Sequence, residues 1–187
     1  MPIPTSPNTS LYTLGRGVLE VAEWSGGQSI GSYVDVGNCQ KFAVEVSERT
    51  LPHFNSRSGQ RVKDNSVTIE TGYSLSFDLD ELSVKNLSMF LKGNISGGTI
   101  YASQIFDQEF ALRFTADNPL GPNEIWSFWR VKLRPGAAFN LIADNWSAMS
   151  FVGEGLGDTV LHAVSPLFSV LFQTTTSTTT TTSTTAP

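Results

Sequence analysis

Apolar and polar side chains alternate with a period of two over long stretches in the middle of the chain. The longest stretch places on one face Val67, Ile69, Thr71, Tyr73, Leu75, Phe77 and Leu79. The opposite face carries hydroxyl and carboxylate side chains, including those of Glu70 and Asp78. Because successive side chains of a strand point to opposite faces, this stretch predicts a strand with one dry face and one wet face.

Other stretches predict further strands. Apolar side chains alternate at Phe42, Val44 and Val46, and again at Phe106, Phe110, Leu112 and Phe114. After a turn at 118–123, one face carries Ile125, Trp129, Val131 and Leu133, and the other carries Trp126, Phe128, Arg130 and Lys132. Residues 137–143 and 160–172 predict two more strands, with a bend or a sheet edge at Pro166.

One stretch, DELSVKNLSMFLKG at residues 80–93, predicts an α-helix with apolar residues Leu82, Leu87, Phe90 and Leu91 near one face. Asp78 and Glu81 are three residues apart, which matches a capping box at the helix start. Lys92 lies at the predicted C-terminus, where the helix dipole favours a cation, and Gly93 can take the left-handed position that follows. Strands, one helix and more strands together predict a mainly antiparallel β-structure with one helix packed on it.

Length, charge and cysteine content narrow the class of protein. A chain of 187 residues is long enough for one domain with a sizeable core. The net charge of −5 argues against a protein that wraps DNA, because phosphate neutralisation needs a basic face. Cys39 is the single cysteine, which allows no internal disulfide. The sequence shows neither a secretory signal nor an apolar run that could span a bilayer, so we expect folding in a cytoplasm.

The two ends differ in composition from residues 11–172, which we expect to form the domain. Residues 1–10 contain three prolines and predict an extended arm. Residues 173–187 are dominated by Thr and Ser and predict a solvated tail.

The segment TLPHFNSRSGQRVKD, residues 50–64, gathers ionisable groups between two predicted strands. A catalytic role is disfavoured, because His53 is far in sequence from His162 and Cys39 has no adjacent base. The carboxylates of Asp78, Asp80 and Glu81 fit a helix start better than a catalytic pair or a cation site. The run GEGLGD at 153–158 lacks the lysine and the spacing of a phosphate loop. We therefore expect no enzyme activity, no cofactor and no metal.

The order of these segments resembles a known family. YVDVGNCQKFAVEVS, then LPHFNSRSG, the long alternating strand, DELSVKNLSMFLKG, WRVKLRPGAAFNLIAD and MSFVGEGLGD are similar to the major tail tube proteins of long-tailed bacteriophages. The resemblance covers roughly residues 11–170. The Thr-rich tail departs from the family pattern.

The resemblance implies two packed antiparallel β-sheets, sandwich-like or barrel-like, with one flanking α-helix. It implies hexameric rings in which strands of each copy join a continuous inner β-barrel. Stacked rings would form a hollow virion tail tube that conducts DNA into the host without binding it specifically. The same architecture occurs in contractile-tail tubes and type VI secretion tubes. Implied partners are further copies of the chain, a tape measure protein, a tail terminator and a distal tail protein, with assembly in the bacterial cytoplasm and no membrane contact.

In this interpretation residues 50–64 form a loop between rings. The expected interface residues are Leu51, His53, Phe54, Asn55, Arg57, Gly59, Arg61 and Asp64, with Leu51 and Phe54 as apolar anchors and the arginines paired with carboxylates of the next ring. Glu45, Glu70 and Asp78 are candidates for the lumen, where acids would repel DNA phosphates. The competing interpretation of 50–64 is a hairpin tip that only contacts water.

Two other classes of function compete with the tail tube. A glycan-binding or capsid-decoration β-sandwich could present Trp126, Trp129 and Trp146 as an aromatic platform, although the strand period places Trp129 in the core. A hydrolase with a polar active-site loop is disfavoured, because no triad, metal cluster or carboxylate pair is present.

Overall fold

The computed structural model describes residues 7–25, 29–57, 59–119 and 121–173. A 3₁₀ turn at Thr9–Leu11 precedes the strands. The strands are β1 (Gly17–Ser25), β2 (Ser29–Ile30), β3 (Val34–Asp35), β4 (Cys39–Asn55), β5 (Val62–Leu79), β6 (Asn94–Ser96), β7 (Thr99–Tyr101), β8 (Glu109–Ala116), β9 (Asn123–Pro135), β10 (Met149–Gly155) and β11 (Phe168–Gln173). The helix α1 spans Val84–Leu91.

All strands except β6 and β7 belong to one antiparallel sheet, in the order β2-β1-β8-β9-β10-β5-β4. In addition, β3 pairs with β1, and β11 pairs with β9 beside β10. The strands β6 and β7 form a small separate hairpin. With 54% strand and 6% helix, the structure confirms the predicted mainly β, antiparallel fold with one helix.

The large sheet is coiled, so that distant strands face each other. Strands β4 and β8 are four positions apart in the sheet, which would separate them by about 19 Å in a flat sheet. Yet the rings of Phe42 in β4 and Phe114 in β8 are only 5.5 Å apart between centroids, and Phe42 also contacts Phe128 in β9 at 5.8 Å. The two packed layers are therefore two parts of a single coiled sheet.

The core lies inside this coil. Its buried side chains are Leu19, Val21, Tyr73, Leu75, Phe77, Leu79, Phe110, Leu112, Phe128, Val131, Leu133, Met149 and Phe151. Helix α1 closes one side, with Met89 and Phe90 buried and the ring of Phe90 edge-on to that of Phe151. Burial of each large apolar side chain contributes about 1.5–3 kcal/mol relative to exposure.

A β-bulge in β9 overturns the predicted position of Trp129. Register pairs join Phe110 to Val131 and Leu112 to Phe128, so β9 has one more residue than β8 between these pairs. The extra residue reverses the alternation, and Phe128 and Val131 both face the core. Trp129 is only partly buried and does not belong to the core.

The helix begins later than the sequence predicts. Its N-cap is Ser83, whose hydroxyl oxygen accepts a hydrogen bond from the Asn86 N–H at 3.1 Å. Asp78 cannot cap the helix, because it lies in β5 and pairs with Lys41 of β4. Lys92, not Gly93, takes the left-handed conformation, with a φ of 49°.

Glu81 and Gly93 have other roles at the two ends of the helix. The Glu81 carboxylate accepts a hydrogen bond from the Asn38 N–H at 3.2 Å rather than completing a capping box. Gly93 lies so close to β7 that an added Cβ would be 2.5 Å from the Ile100 side chain. Close approach, not φ, therefore requires glycine at residue 93.

Other local predictions also change. Residues 137–143 form no strand, and the exposed Leu141 and Ile142 do not contribute to the core. The strand predicted at 160–172 begins only at Phe168, and Phe106 precedes β8 instead of belonging to it. Residues 1–6 of the predicted N-terminal arm and residues 174–187 of the predicted tail lie outside the described residues.

The helix cap yields a stability prediction. We expect Ser83→Ala to lower the free energy of unfolding by about 1 kcal/mol, because the Asn86 N–H loses its acceptor. Urea unfolding would measure this change. Ser83→Asp is the matched control and should keep most of the stability, since Asp is an equally good N-cap. Equal stability of the Ala and Asp variants would contradict the assigned cap.

Candidate assembly interface

Strands β4 and β5 continue beyond the sheet as a two-stranded arm, residues 46–71, in which every described residue is exposed. From residue 46 to residue 55 the arm extends over roughly 30 Å. The predicted loop at 50–64 is therefore mostly strand, because β4 continues to Asn55 and β5 begins at Val62.

The arm exposes apolar side chains that a solvated hairpin does not need: Val46, Leu51, Phe54, Val62, Val67 and Ile69. Leu51 and Val67 form a cross-strand pair, and their exposed fractions are 61% and 57%. An isolated two-stranded hairpin is at best marginally stable in water. The arm therefore has the composition of a contact surface rather than of a free loop.

All the predicted interface residues lie in the distal half of the arm, where several contact one another. The His53 ring is 2.6 Å from the Asp64 carboxylate, and the Arg61 guanidinium lies 4.9 Å from the centre of the Phe54 ring. The Arg57 N–H donates to the side-chain oxygen of Asn55. Gly59 lies in the turn with open space around it. Pairing of the arginines with another copy stays a prediction.

The prediction that Val67 and Ile69 lie on the dry face of the long strand is wrong. The buried face ends at Tyr73, and both residues are exposed in the arm. The available signal was length, because the alternation at 67–79 covers 13 residues whereas strands usually have about 3–10. A strand of that length extends beyond its own sheet.

The outer side of β4 is a free sheet edge. Within the described part of the chain, β4 pairs only with β5, although β4 is 17 residues long. Such an edge presents a row of backbone N–H and C=O groups that can pair with another chain. At the opposite edge, the described strands that pair with β1 are the two-residue strands β2 and β3.

The three candidates for an acidic surface share one face of the β4–β5 pair. Glu45 pairs with Ser74, and Asp78 pairs with Lys41, on the face opposite the core. Glu70 lies on the same face but in the arm, where its carboxylate is 3.6 Å from the Arg49 guanidinium. Only Glu45 and Asp78 therefore lie on the polar face of the sheet itself.

At the other end of β4, a tight turn connects β3 to β4 and is hydrogen-bonded to the segment that precedes α1. The Asp35 carboxylate accepts from the Gly37 N–H, and Gly37 has a φ of 84°. The Asn38 side chain donates to the Asp80 carboxylate at 2.8 Å. The predicted acidic cluster thus anchors this turn. Asn38, Asp80 and Glu81 also line a shallow cleft with the exposed Trp146.

The second histidine belongs to a structural loop. His162 stacks on Trp129 with 3.7 Å between ring centroids, and its Nδ1 is 2.8 Å from the buried Asp158 carboxylate. The same carboxylate accepts from the N–H groups of Val160 and Leu161. These contacts fold the segment that follows GEGLGD, which therefore has a structural explanation.

Cys39 does not have the environment of a nucleophile. Burial raises the pKa of its thiol to about 11, so the reactive thiolate is scarce at neutral pH. Among the described residues, no group of three or more His, Cys, Asp or Glu side chains could hold a metal ion. No helix in the described ranges has the length and apolar character to cross a membrane.

A family model described as "Protein of unknown function UCP028589" matches residues 12–105, about half of the chain. The chain belongs to this family. The matched region includes β1, the whole arm and α1. The family description states no function, and no curated protein sequence matches the chain.

Two solved structures align over most of the chain. A chain of the anti-feeding prophage baseplate has 11% sequence identity and a TM-score of 0.44, covering 91% of this chain and 97% of that chain. A chain of the PVC sheath/tube terminator, from an extracellular contractile injection system, has 9% identity and a TM-score of 0.41, covering 93% and 98%. At such low TM-scores, neither alignment assigns a fold or a function to this family member.

The Asp158 site yields a pH prediction. Burial raises the pKa of Asp158, but the hydrogen bonds from His162, Leu161 and Val160 outweigh it, so the net pKa is lowered from 3.8. The ionised carboxylate thus stabilises the folded state above pH 3.8, and this contribution is lost as the pH falls through the lower folded-state pKa.

We expect Asp158→Asn to lower the unfolding temperature at pH 5, on the order of 5 °C, because a buried charged acceptor is lost. The difference from the unaltered protein should narrow as the pH falls below about 4. Thermal unfolding followed by circular dichroism would test this. Asp144→Asn, at an exposed residue, is the control. A difference that stays constant down to pH 2 would contradict the assigned carboxylate role.

Proposed function

We propose that this protein is a structural subunit of a phage-type tail that assembles with copies of itself into stacked hexameric rings forming a hollow tube. The observation that carries the proposal is the β4–β5 pair. It combines a free edge 17 residues long with an exposed apolar arm. Both features are hazards for a monomer, and both are removed when copies of the chain pair and stack.

In the proposed ring, the free edge of β4 extends into the sheet of a neighbouring copy. Closure into a continuous barrel removes every exposed edge in the ring. The polar face of the β4–β5 pair, with Glu45, Ser74, Ser76 and Asp78, would then line the lumen. Carboxylates on that wall would repel phosphates and let DNA pass without specific binding.

In the proposed stack, the arm provides the contact between rings. A contact between two different surfaces of identical copies repeats without closing and produces a filament. Tape measure, tail terminator and distal tail proteins are the partners that such a tube would need inside it and at its two ends. The tube would conduct DNA during ejection.

A glycan-binding platform has less support, because the three tryptophans have separate surroundings. Trp126 stacks with Phe128 and Phe168, Trp129 stacks with His162, and Trp146 is almost fully exposed on a loop.

Shortening the arm tests the proposal. We expect replacement of residues 51–67 by Asn-Gly to abolish tubes in negative-stain electron microscopy, because Thr50 and Thr68 would be joined by a tight turn and the apolar arm surface would be lost. The unfolding temperature should stay within a few degrees of the original, because every described side chain in the removed range is exposed.

Replacement of Ser56 and Gln60 by Ala is the matched control for altering the turn while keeping the apolar surface and the predicted interface residues, and it should still give tubes. Normal tubes from the shortened protein would contradict the role of the arm. An unaltered protein that remains monomeric at high concentration would contradict the tail function itself.

A further inference from the structure

A groove lies between α1 and the segment that leads into β8. Its volume is about 340 Å³. Met89, Phe110 and Leu133 form its buried floor, while Ile95, Ile105 and Phe106 are its exposed apolar walls. The exposed fraction of Phe106 is 60%. Within the described part of the chain, nothing covers these walls.

The groove and the arm lie toward opposite ends of the sheet. The arm leaves the sheet where β4 ends and β5 begins. The groove lies where β5 ends and β8 begins, since α1 follows β5 and residues 105–108 precede β8. Copies stacked with the same polarity therefore bring the arm of one copy to the groove-bearing end of the next.

The cross-strand pair Leu51 and Val67 matches the groove in chemistry. Both side chains are more than half exposed and lie directly opposite each other, so they form one compact apolar projection. The groove is a concave apolar site large enough for such a projection. Burial of these two side chains in the groove of the partner would remove part of the apolar exposure of the arm and would cover the exposed walls of the groove.

The lysines at the groove complement carboxylates on the arm. Lys85 and Lys92 lie on the helix side of the groove, whose lining also includes Glu23 of β1. Among the described residues, neither lysine forms an ion pair with a carboxylate. On the arm, the carboxylates of Glu70 and Asp64 lie on either side of the Leu51–Val67 pair along β5. Both carboxylates have exposed partners in the arm and are accessible to a second chain.

We propose that the arm of one copy docks head-to-tail on the next copy, with Leu51 and Val67 in the groove bounded by α1 and Phe106. The proposal rests on the proposed tube function and names the surface that receives the arm. The occupant is a second copy of this chain. The contact joins two different surfaces, so the arm of each copy contacts one neighbour while its groove receives the arm of another.

Cysteine cross-linking in assembled tubes tests the contact. In a Cys39→Ser background, Leu51→Cys and Phe106→Cys would be combined in one chain, and tubes would be oxidised mildly. We expect a ladder of covalent oligomers on a non-reducing gel. In a head-to-tail stack, each copy then has one thiol that faces the copy above it and one that faces the copy below it. A disulfide forms only when the two Cα atoms come within about 7 Å. Each single-cysteine variant should give no ladder.

The matched control combines Leu51→Cys with Trp146→Cys, which places the second thiol in the acidic cleft at the same end. Docking in the groove would be overturned if tubes give a ladder only with the Leu51–Trp146 cysteine pair, or with neither pair. The tube function would not be affected by either result. A Cys39→Ser protein and an unaltered protein that both form no rings or tubes would overturn the tube function and this contact together.

A second pair of variants needs no disulfide. Phe106→Asp should abolish tubes and leave folded rings, because the charge would be buried under the docked arm. Trp146→Asp is the matched change at an exposed aromatic residue and should leave tubes unchanged. Equal tube formation by both variants would also overturn the proposal.

Discussion

The antiparallel pairing of β4 with β5 is the interaction on which the rest of the structure depends. It continues from the body of the protein into the arm, with register shifts at Arg49/Thr50 and His53/Phe54, and its register determines which side chains share a face. In the body, one face of this pair is buried in the core and the other is polar. In the arm, the same two strands have no covering layer, so the apolar side chains that continue along them reach solvent.

The coiling of the sheet explains why the body remains compact although its strands belong to one sheet. Phe42 on the edge strand contacts Phe114 and Phe128 on strands that are far away in sheet order. These ring contacts partly cover the inner face of β4, and among the described residues its outer backbone edge is unpaired. An edge that is held in place by packing and is free to pair is well suited to adding a further chain.

The roles of several charged residues also follow from the tertiary structure. Asp80 and Glu81, which could be taken for a catalytic pair or a helix start, receive hydrogen bonds from the turn at Asn38. Asp158 and His162 hold a loop against Trp129. Each of these polar clusters has a structural role within the chain. The exposed arm, the free edge and the groove remain as the surfaces through which we propose that copies assemble.

By itself, the sequence determined the mainly β fold, the single helix, the position of the long alternating strand and the polar segment at 50–64, because period and turn chemistry are local properties. Only the tertiary structure decided where burial along that strand stops, since burial depends on which other strands lie beside it. The bulge in β9 places Trp129 outside the core. Because β5 continues through Leu79, Asp78 is in a strand and Ser83 is the N-cap of the helix. The groove beside Phe106 could not be predicted from sequence, because its walls come from segments that only folding brings together.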